Sequence, residues 1–194
     1  TKTSAALTLT HAFRNESSQL VLQAMAFRLE HLASVWWERP ERAMIEHFQA
    51  DVFGPLARQL SFEGGGHEPS DVRELRATVI AAAAAGGDAC TIGEIRRRFA
   101  PLQGRNESLI HPDLVRTILT HGVKHGGKAE YETALRMYRE PRTPLHRNYA
   151  LMALGSTQQP ALIERTIKLV FDGEVPLQDY TYIFQALASN VHSR

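Results

Sequence analysis

Residues 143–173, TPLHRNYALMALGSTQQPALIERTIKLVFDG, carry the start and stop signals of two consecutive helices. Thr143 followed by Pro144 is a favourable opening, because the hydroxyl can cap the helix and proline suits the first turn. Gly155 and Gly173 stand where a helix commonly ends in a left-handed residue. The stretch therefore predicts a helical hairpin, two helices joined by a short turn.

The same periodicity extends over most of the chain, where apolar residues recur every three or four positions. Almost nothing alternates in steps of two, as a half-buried strand would. One stripe, within residues 17–36, consists of Leu20, Leu22, Ala24, Met25, Leu29, Leu32, Val35 and Trp36. The pattern predicts ten helices, over about 3–13, 17–36, 40–61, 71–85, 91–102, 112–125, 128–139, 144–154, 160–172 and 176–189.

Three local signals refine these boundaries. Pro55 is expected to kink or divide the third helix, because proline removes a backbone donor. Ser70, the last residue of the glycine-rich loop EGGGHEPS, is expected to cap the fourth helix. The TIGE sequence at 91–94 has the form of a capping box, in which Thr91 and Glu94 would satisfy each other's backbone donors.

Helices of this length, joined by short turns, indicate an all-α protein. Taken in pairs they repeat at an irregular spacing of about 30–45 residues, as in HEAT-like solenoids, where each pair buries its apolar face against its neighbours. The expected fold is a right-handed superhelical array of antiparallel HEAT/armadillo-like helix pairs, forming a single domain over residues 1–194. A compact all-α bundle is the alternative.

Composition excludes several classes of function. Hydrophobic residues make up 43% of the chain and charged residues 22%, which are globular values. The formal charge of +1 gives no bias toward nucleic acid or anionic membranes, and no apolar run reaches the length of a membrane span. Cys90 is the only cysteine and is expected to be buried or half-buried. These features fit a cytoplasmic protein, in which the sequons at Asn15 and Asn106 would carry no glycan.

The sequence HGVKH, residues 121–125, is the strongest candidate for a metal site. His121 and His125 are four residues apart, which places both imidazoles on one helix face. A zinc peptidase site of the HExxH type also needs a glutamate directly after the first histidine and a third ligand. Gly122 occupies the position of the glutamate, and the helix ends at His125, where a basic side chain stabilises the helix dipole. We therefore predict no metal ligands and no catalytic residues in this chain.

Other candidate motifs are also interpreted as structural. HEPSD, residues 67–71, begins like a zinc motif, but Asp71 replaces the second histidine and Pro69 interrupts the helix. Arg96, Arg97 and Arg98 point about 100° apart on a helix and are expected to be solvated. The adjacent Trp36-Trp37 is interpreted as core and helix-packing surface. No glycine-rich phosphate loop and no nucleophile elbow is present in the sequence.

Several longer blocks resemble one family. These are DVFGPLARQLSFE (51–63), RELRATVIAAAAAGGD (73–88), EIRRRFAPL (94–102), LVRTILTHGVKHGGKAEYETALRMY (114–138) and HRNYALMALGSTQQPALIERTIKLVFDGEVPLQDY (146–180). In order and spacing they are similar to the C-terminal helical domain of puromycin-sensitive-type zinc aminopeptidases, which include the endoplasmic-reticulum aminopeptidases. The opening SAALTLTHAFRNE also fits the start of that domain, so the resemblance covers nearly the whole chain.

The resemblance implies that this chain is one domain of a larger polypeptide and that catalysis takes place in another domain. In the family, zinc and its HExxH ligands lie in an earlier catalytic domain, and the helical domain caps the active site and encloses the cavity for peptide substrates. The parent would remove N-terminal amino acids from peptides, with this chain as a noncatalytic fragment whose partners are the catalytic domain and the peptide. An independent HEAT-like scaffold for protein interactions is the alternative.

The resemblance transfers little at the level of single residues. Gln178 and Asp179 match a recurrent QD, but their position suits charge stabilisation of a helix N-terminus. Family members carry further helices after the position matching Asn190. If this chain lacks them, its last helix pair has an uncovered apolar face that favours self-association.

Overall fold

The computed structural model describes residues 3–65 and 67–193 and, within them, contains ten α-helices and no strand. The all-α prediction is confirmed. Gly66, within the predicted EGGGHEPS loop, lies outside the described residues. The helices are α1 (Thr3–Ala12), α2 (Gln19–Val35), α3 (Glu41–Leu60), α4 (Ser70–Ala85), α5 (Ala89–Gln103), α6 (Val115–His125), α7 (Lys128–Arg139), α8 (Pro144–Gly155), α9 (Pro160–Phe171) and α10 (Tyr180–Ser189).

Two predicted N-terminal caps are wrong. Ser70 already belongs to α4, and Pro69 precedes it without a side-chain cap. Helix α5 begins two residues before Thr91, because the Asp88 carboxylate accepts hydrogen bonds from the Thr91 backbone N–H at 2.8 Å and from its hydroxyl at 2.7 Å. Glu94 instead accepts hydrogen bonds from Arg97 and Arg98. Asp88, rather than a capping box of Thr91 and Glu94, therefore accepts the hydrogen bonds at the start of α5.

The two glycine predictions have opposite outcomes. Gly173 has a φ of 76° and follows α9 as expected. Gly155 is the last residue of α8 and is not among the described residues with positive φ. A Cβ built on Gly155 would lie 2.6 Å from Cβ of Ala186 on α10, so glycine is required there for close helix packing. Pro55 lies inside α3, which continues undivided to Leu60.

Helices α2, α3 and α4 pack on one another in the first of two compact units, which ends at Thr91. Only part of the predicted α2 stripe is buried, since Leu22 and Leu29 face the core whereas Leu20 is 73% exposed and Val35 63% exposed. The buried side of α2 meets α4, whose alanines allow close approach. The side-chain amide of Gln49, which is buried in the same core, donates a hydrogen bond to the Ala82 carbonyl oxygen at 2.9 Å.

In the second unit, which starts at Ile92, helix α8 packs against α6, α7 and α10, and hydrogen bonds also join helices two positions apart. Ser156, at the end of α8, donates to the Thr120 carbonyl oxygen of α6, 36 residues earlier. The Tyr131 hydroxyl of α7 hydrogen-bonds Thr166 of α9 across 35 positions. Asn190, at the end of α10, donates to the Gly155 carbonyl oxygen, also 35 positions away. These three hydrogen bonds each join residues 35 or 36 positions apart.

Two kinds of contact hold this pattern together. Helix α8 packs against both α6 and α10, and Gly155 permits its close contact with Ala186 of α10. Helices α7 and α9 are joined instead by long side chains, including the bidentate pair of Arg165 with Glu132. Arg165 also lies 5.2 Å from the ring centroid of Tyr131. The right-handed superhelical array of the whole chain and its single domain remain predictions.

Candidate functional site

The histidine pair of α6 is brought together, but not as a metal site. The rings of His121 and His125 stack nearly parallel, 11° apart, with centroids separated by 6.0 Å. His121 is buried, and its Nδ1 has no hydrogen-bond partner among the described residues. Gly122 gives α6 its close contact with α5, since a Cβ there would lie 2.1 Å from the Phe99 ring. Arg96 of α5 donates to the His125 carbonyl oxygen at 3.0 Å.

This arrangement does not fit zinc. Two imidazole nitrogens on one zinc ion each lie about 2.0–2.1 Å from the metal, which requires rings that converge rather than stack. Within residues 3–65 and 67–193, no group of three or more His, Cys, Asp or Glu side chains could hold a metal ion. The residues of α6 therefore supply no ligand set for the zinc that the family resemblance implies.

Burial, together with Lys124 and His125, lowers the pKa of His121 from 6.5 to about 3. Between these values the unfolded chain binds a proton that the folded chain excludes, so stability falls as the pH drops below 6.5. We expect the free energy of unfolding to lose about 2 kcal/mol more between pH 7.5 and pH 5 in the native protein than in His121→Leu. Urea titrations at both pH values measure this difference. The control Leu119→Ala, at a buried leucine of the same helix that carries no titratable group, should keep the native pH dependence. Equal losses in the native protein and His121→Leu would contradict the assignment.

The HEPSD motif is part of an ion pair rather than a zinc motif. Glu68 forms a bidentate salt bridge with Arg76 of α4, which is only 5% exposed. Arg76 Nε also donates to the Leu60 carbonyl oxygen at 3.2 Å. The Arg76 guanidinium therefore connects α4 to the end of α3, through Leu60, and to the following loop, through Glu68. Sequence alone gives one signal for the role of Arg76, an arginine on the apolar side of a predicted helix.

The three consecutive arginines of α5 do not form a phosphate site. Arg97 and Arg98 both donate to Glu94. Arg96 is directed to the backbone of α6. These contacts lower the pKa of Glu94, chiefly through the hydrogen bond from Arg97. Arg98 is half-buried, whereas the solvated-face prediction holds for Arg96 and Arg97.

Asp179 of the QD pair directly precedes α10, as predicted. Its side chain makes no cap hydrogen bond; it forms an ion pair with Arg147 of α8, at 3.2 Å. The Arg147 guanidinium also lies 5.2 Å from the ring centroid of Tyr138, whose hydroxyl donates to the Glu174 carbonyl oxygen at 2.7 Å. The cluster ties the end of α7 to the starts of α8 and α10. Gln178 is exposed.

Two predictions about burial are wrong. Cys90 is exposed near the start of α5, whereas its neighbour Thr91 is buried. Trp36 is half-buried at the C-cap of α2, and Trp37 is 36% exposed, so neither belongs to the core. Within the described part of the chain, no single helix is long and apolar enough to cross a membrane, and one bent pair, α4 with α5, meets that criterion only when both helices are combined.

Sequence comparisons relate the chain to one family of proteins. The family described as ERAP1-like C-terminal domain matches residues 1–194. The chain is 26% identical over 193 residues to aminopeptidase 2, mitochondrial, of Saccharomyces cerevisiae, covering 98% of this chain and 20% of that protein. It is 29% identical over 182 residues to aminopeptidase M1 of Arabidopsis thaliana, covering 91% of this chain and 21% of that protein.

A third relative is the alanine/arginine aminopeptidase of Saccharomyces cerevisiae, 26% identical over 197 residues, covering all of this chain and 23% of that protein. The chain thus spans about a fifth of the length of the curated relatives it matches. The expected resemblance is confirmed, since the family covers every residue. The chain belongs to the ERAP1-like C-terminal domain family and is a distant homologue of the M1 aminopeptidases.

Proposed function

We propose that this chain is the noncatalytic C-terminal domain of a zinc metalloaminopeptidase, where it caps the active site and forms part of the substrate cavity. The observation that carries the proposal is the family match over residues 1–194, combined with relatives that are aminopeptidases about five times longer. The parent would remove N-terminal amino acids from peptides. Zinc would lie in its catalytic domain, and that domain and the peptide substrate would be the partners of this chain.

The spacing of the helices in the second unit supports a curved wall beside the substrate cavity. Helix α8 packs against α6 and α10, and it approaches α10 closely at Gly155 and Ala186, whereas α7 and α9 are joined by arginine, glutamate and tyrosine side chains. A layer with narrow spacing beside a layer with wide spacing favours curvature toward the narrow layer. We infer that α6, α8 and α10 line the concave side, and that a curved wall of this kind would exclude water and folded proteins from a neighbouring active site.

The proposal predicts a change in peptide selectivity when the parent loses this domain. We expect the truncated parent to keep zinc and to hydrolyse a small aminoacyl reporter, because the reactive groups lie elsewhere. Its kcat/KM for peptides of several residues should fall about tenfold or more relative to the reporter, since contacts that orient the distal peptide are lost.

The experiment compares kcat/KM over a series of peptide lengths for the full parent and for the truncated parent. Zinc content and circular dichroism establish that the truncated protein is folded. An unchanged ratio of peptide to reporter activity would contradict a role in the cavity and would favour an independent scaffold. A chain encoded without an upstream catalytic domain would contradict the proposal directly. The single cysteine and the near-neutral charge support a cytoplasmic location for the parent.

A further inference from the structure

Helices α6, α8 and α10 differ from the other helices of the second unit in the sign of their charge. None of the three contains an aspartate or a glutamate, and their basic residues, besides histidines, are Arg116 and Lys124 on α6 and Arg147 on α8. The other helices of the unit carry the glutamates Glu94, Glu130, Glu132 and Glu164. Carboxylates of the second unit therefore lie on α5, α7 and α9 or in the segments between helices.

The side of α6 that is not buried carries both of its cationic side chains. Arg116, Thr120 and Lys124 follow one another at intervals of four residues and therefore lie in a row along this side of the helix. Arg116 is exposed, and Thr120 and Lys124 are half-buried. We call these three residues the α6 basic stripe. With a rise of about 1.5 Å per residue, the Cα atoms of Arg116 and Lys124 are about 12 Å apart.

Arg116 is the member of the stripe whose charge is available to a ligand. Among the residues that the structure describes, no carboxylate forms an ion pair with it, and Asp113, one turn earlier, lies 3.6 Å from His111. Arg147 of α8, in contrast, is paired with Asp179 at 3.2 Å. Arg116 also lies in the first turn of α6, where a positive charge opposes the helix dipole. The stability of α6 therefore does not account for an arginine at this position.

We propose that the α6 basic stripe binds carboxylates of the peptide substrate, so that the domain favours acidic peptides over neutral ones. The inference rests on the proposed function, in which α6, α8 and α10 face the substrate. The Arg116 guanidinium can hold a carboxylate through two parallel hydrogen bonds, and Lys124 adds a second positive charge on the same side. In an extended peptide, side chains four residues apart are separated by about 13 Å, which matches the length of the stripe.

NMR titrations of the isotope-labelled 194-residue chain with two capped peptides test the proposal. The peptides differ only at two positions four residues apart, which are glutamate in one peptide and glutamine in the other, with alanine and leucine elsewhere. We expect the glutamate peptide to bind about fivefold more tightly at low salt and to shift the amide signals of α6. Because the charges are exposed, salt at about 0.5 M should abolish this preference.

Charge reversal by Arg116→Glu should remove the preference for the glutamate peptide, whereas Lys168→Glu should keep it. Lys168 lies on α9 and is 72% exposed, so this control changes the net charge equally but outside the stripe. Circular dichroism checks that both variants are folded. Equal affinity for the two peptides, no binding of either, or a preference that survives in Arg116→Glu would overturn the proposal. The truncation experiment on the parent compares peptide lengths rather than charges, so its outcome tests the proposed function separately.

Discussion

Replacing Arg76 with methionine is expected to lower the free energy of unfolding of the first unit by about 3 kcal/mol. Arg76 is 5% exposed and is bound to both carboxylate oxygens of Glu68 and to the carbonyl oxygen of Leu60. Its removal takes the bidentate ion pair with Arg76 away from the Glu68 carboxylate, which is only 17% exposed. The loss of this ion pair in a largely buried place costs more than the methionine side chain restores by packing.

Tryptophan fluorescence in a urea titration measures this loss, because both tryptophans of the chain, Trp36 and Trp37, lie in the first unit. Arg58→Met is the matched control: it removes an ion pair with Asp88 at 3.2 Å, but Arg58 is 52% exposed. We expect that control to lose less than about 1 kcal/mol. The double variant Arg76→Met with Glu68→Leu should recover part of the stability. Equal losses for Arg76→Met and the control would contradict the role of the pair.

Gly155→Ala is expected to destabilise the second unit by about 3 kcal/mol. The new methyl group would lie 2.6 Å from Cβ of Ala186 and 3.2 Å from the Ile183 carbonyl oxygen. Because the second of these atoms is backbone, α8 and α10 must move apart. Their separation would also strain the hydrogen bond of 3.1 Å from Asn190 to the Gly155 carbonyl oxygen.

Hydrogen exchange of the α8 and α10 amides, together with urea titration followed by circular dichroism, measures the effect. Ala186→Gly in the same chain should restore much of the loss by reopening the space. Gly93→Ala is the control, since that position lies within α5 and has no atom within 4 Å of the new methyl group. Alanine there should stabilise the helix by about 0.5–1 kcal/mol. A Gly155→Ala variant as stable as the native chain would contradict the close approach.

Helix number and most boundaries could be predicted because they depend on local signals. Apolar periodicity, Thr143 with Pro144, and Gly173 each act within a few residues of their helix. The cap of α5 could not be predicted with the same certainty, because Asp88 and Thr91 both have capping side chains. Which one accepts the hydrogen bonds depends on the backbone conformation at the helix start.

Long-range features were predicted less well. The sequence predicts a left-handed cap at Gly155 because it does not show that α10 passes beside this residue. It predicts a buried stripe that includes Leu20 and Val35 because periodicity shows which residues share a face but not how wide the covered face is. Gly122 and the lack of a third ligand already argue against a zinc site at His121 and His125, and the stacked geometry of the two rings adds an independent reason.

We propose that this chain forms part of the wall of the substrate cavity and that the reactive groups belong to another part of the parent. The most direct measurement is hydrolysis of an aminoacyl reporter by the purified 194-residue chain with zinc supplied, together with its zinc content after dialysis. We expect turnover no greater than that of the heat-denatured chain and no stoichiometric zinc. Turnover above that control, or one tightly bound zinc ion per chain, would contradict it.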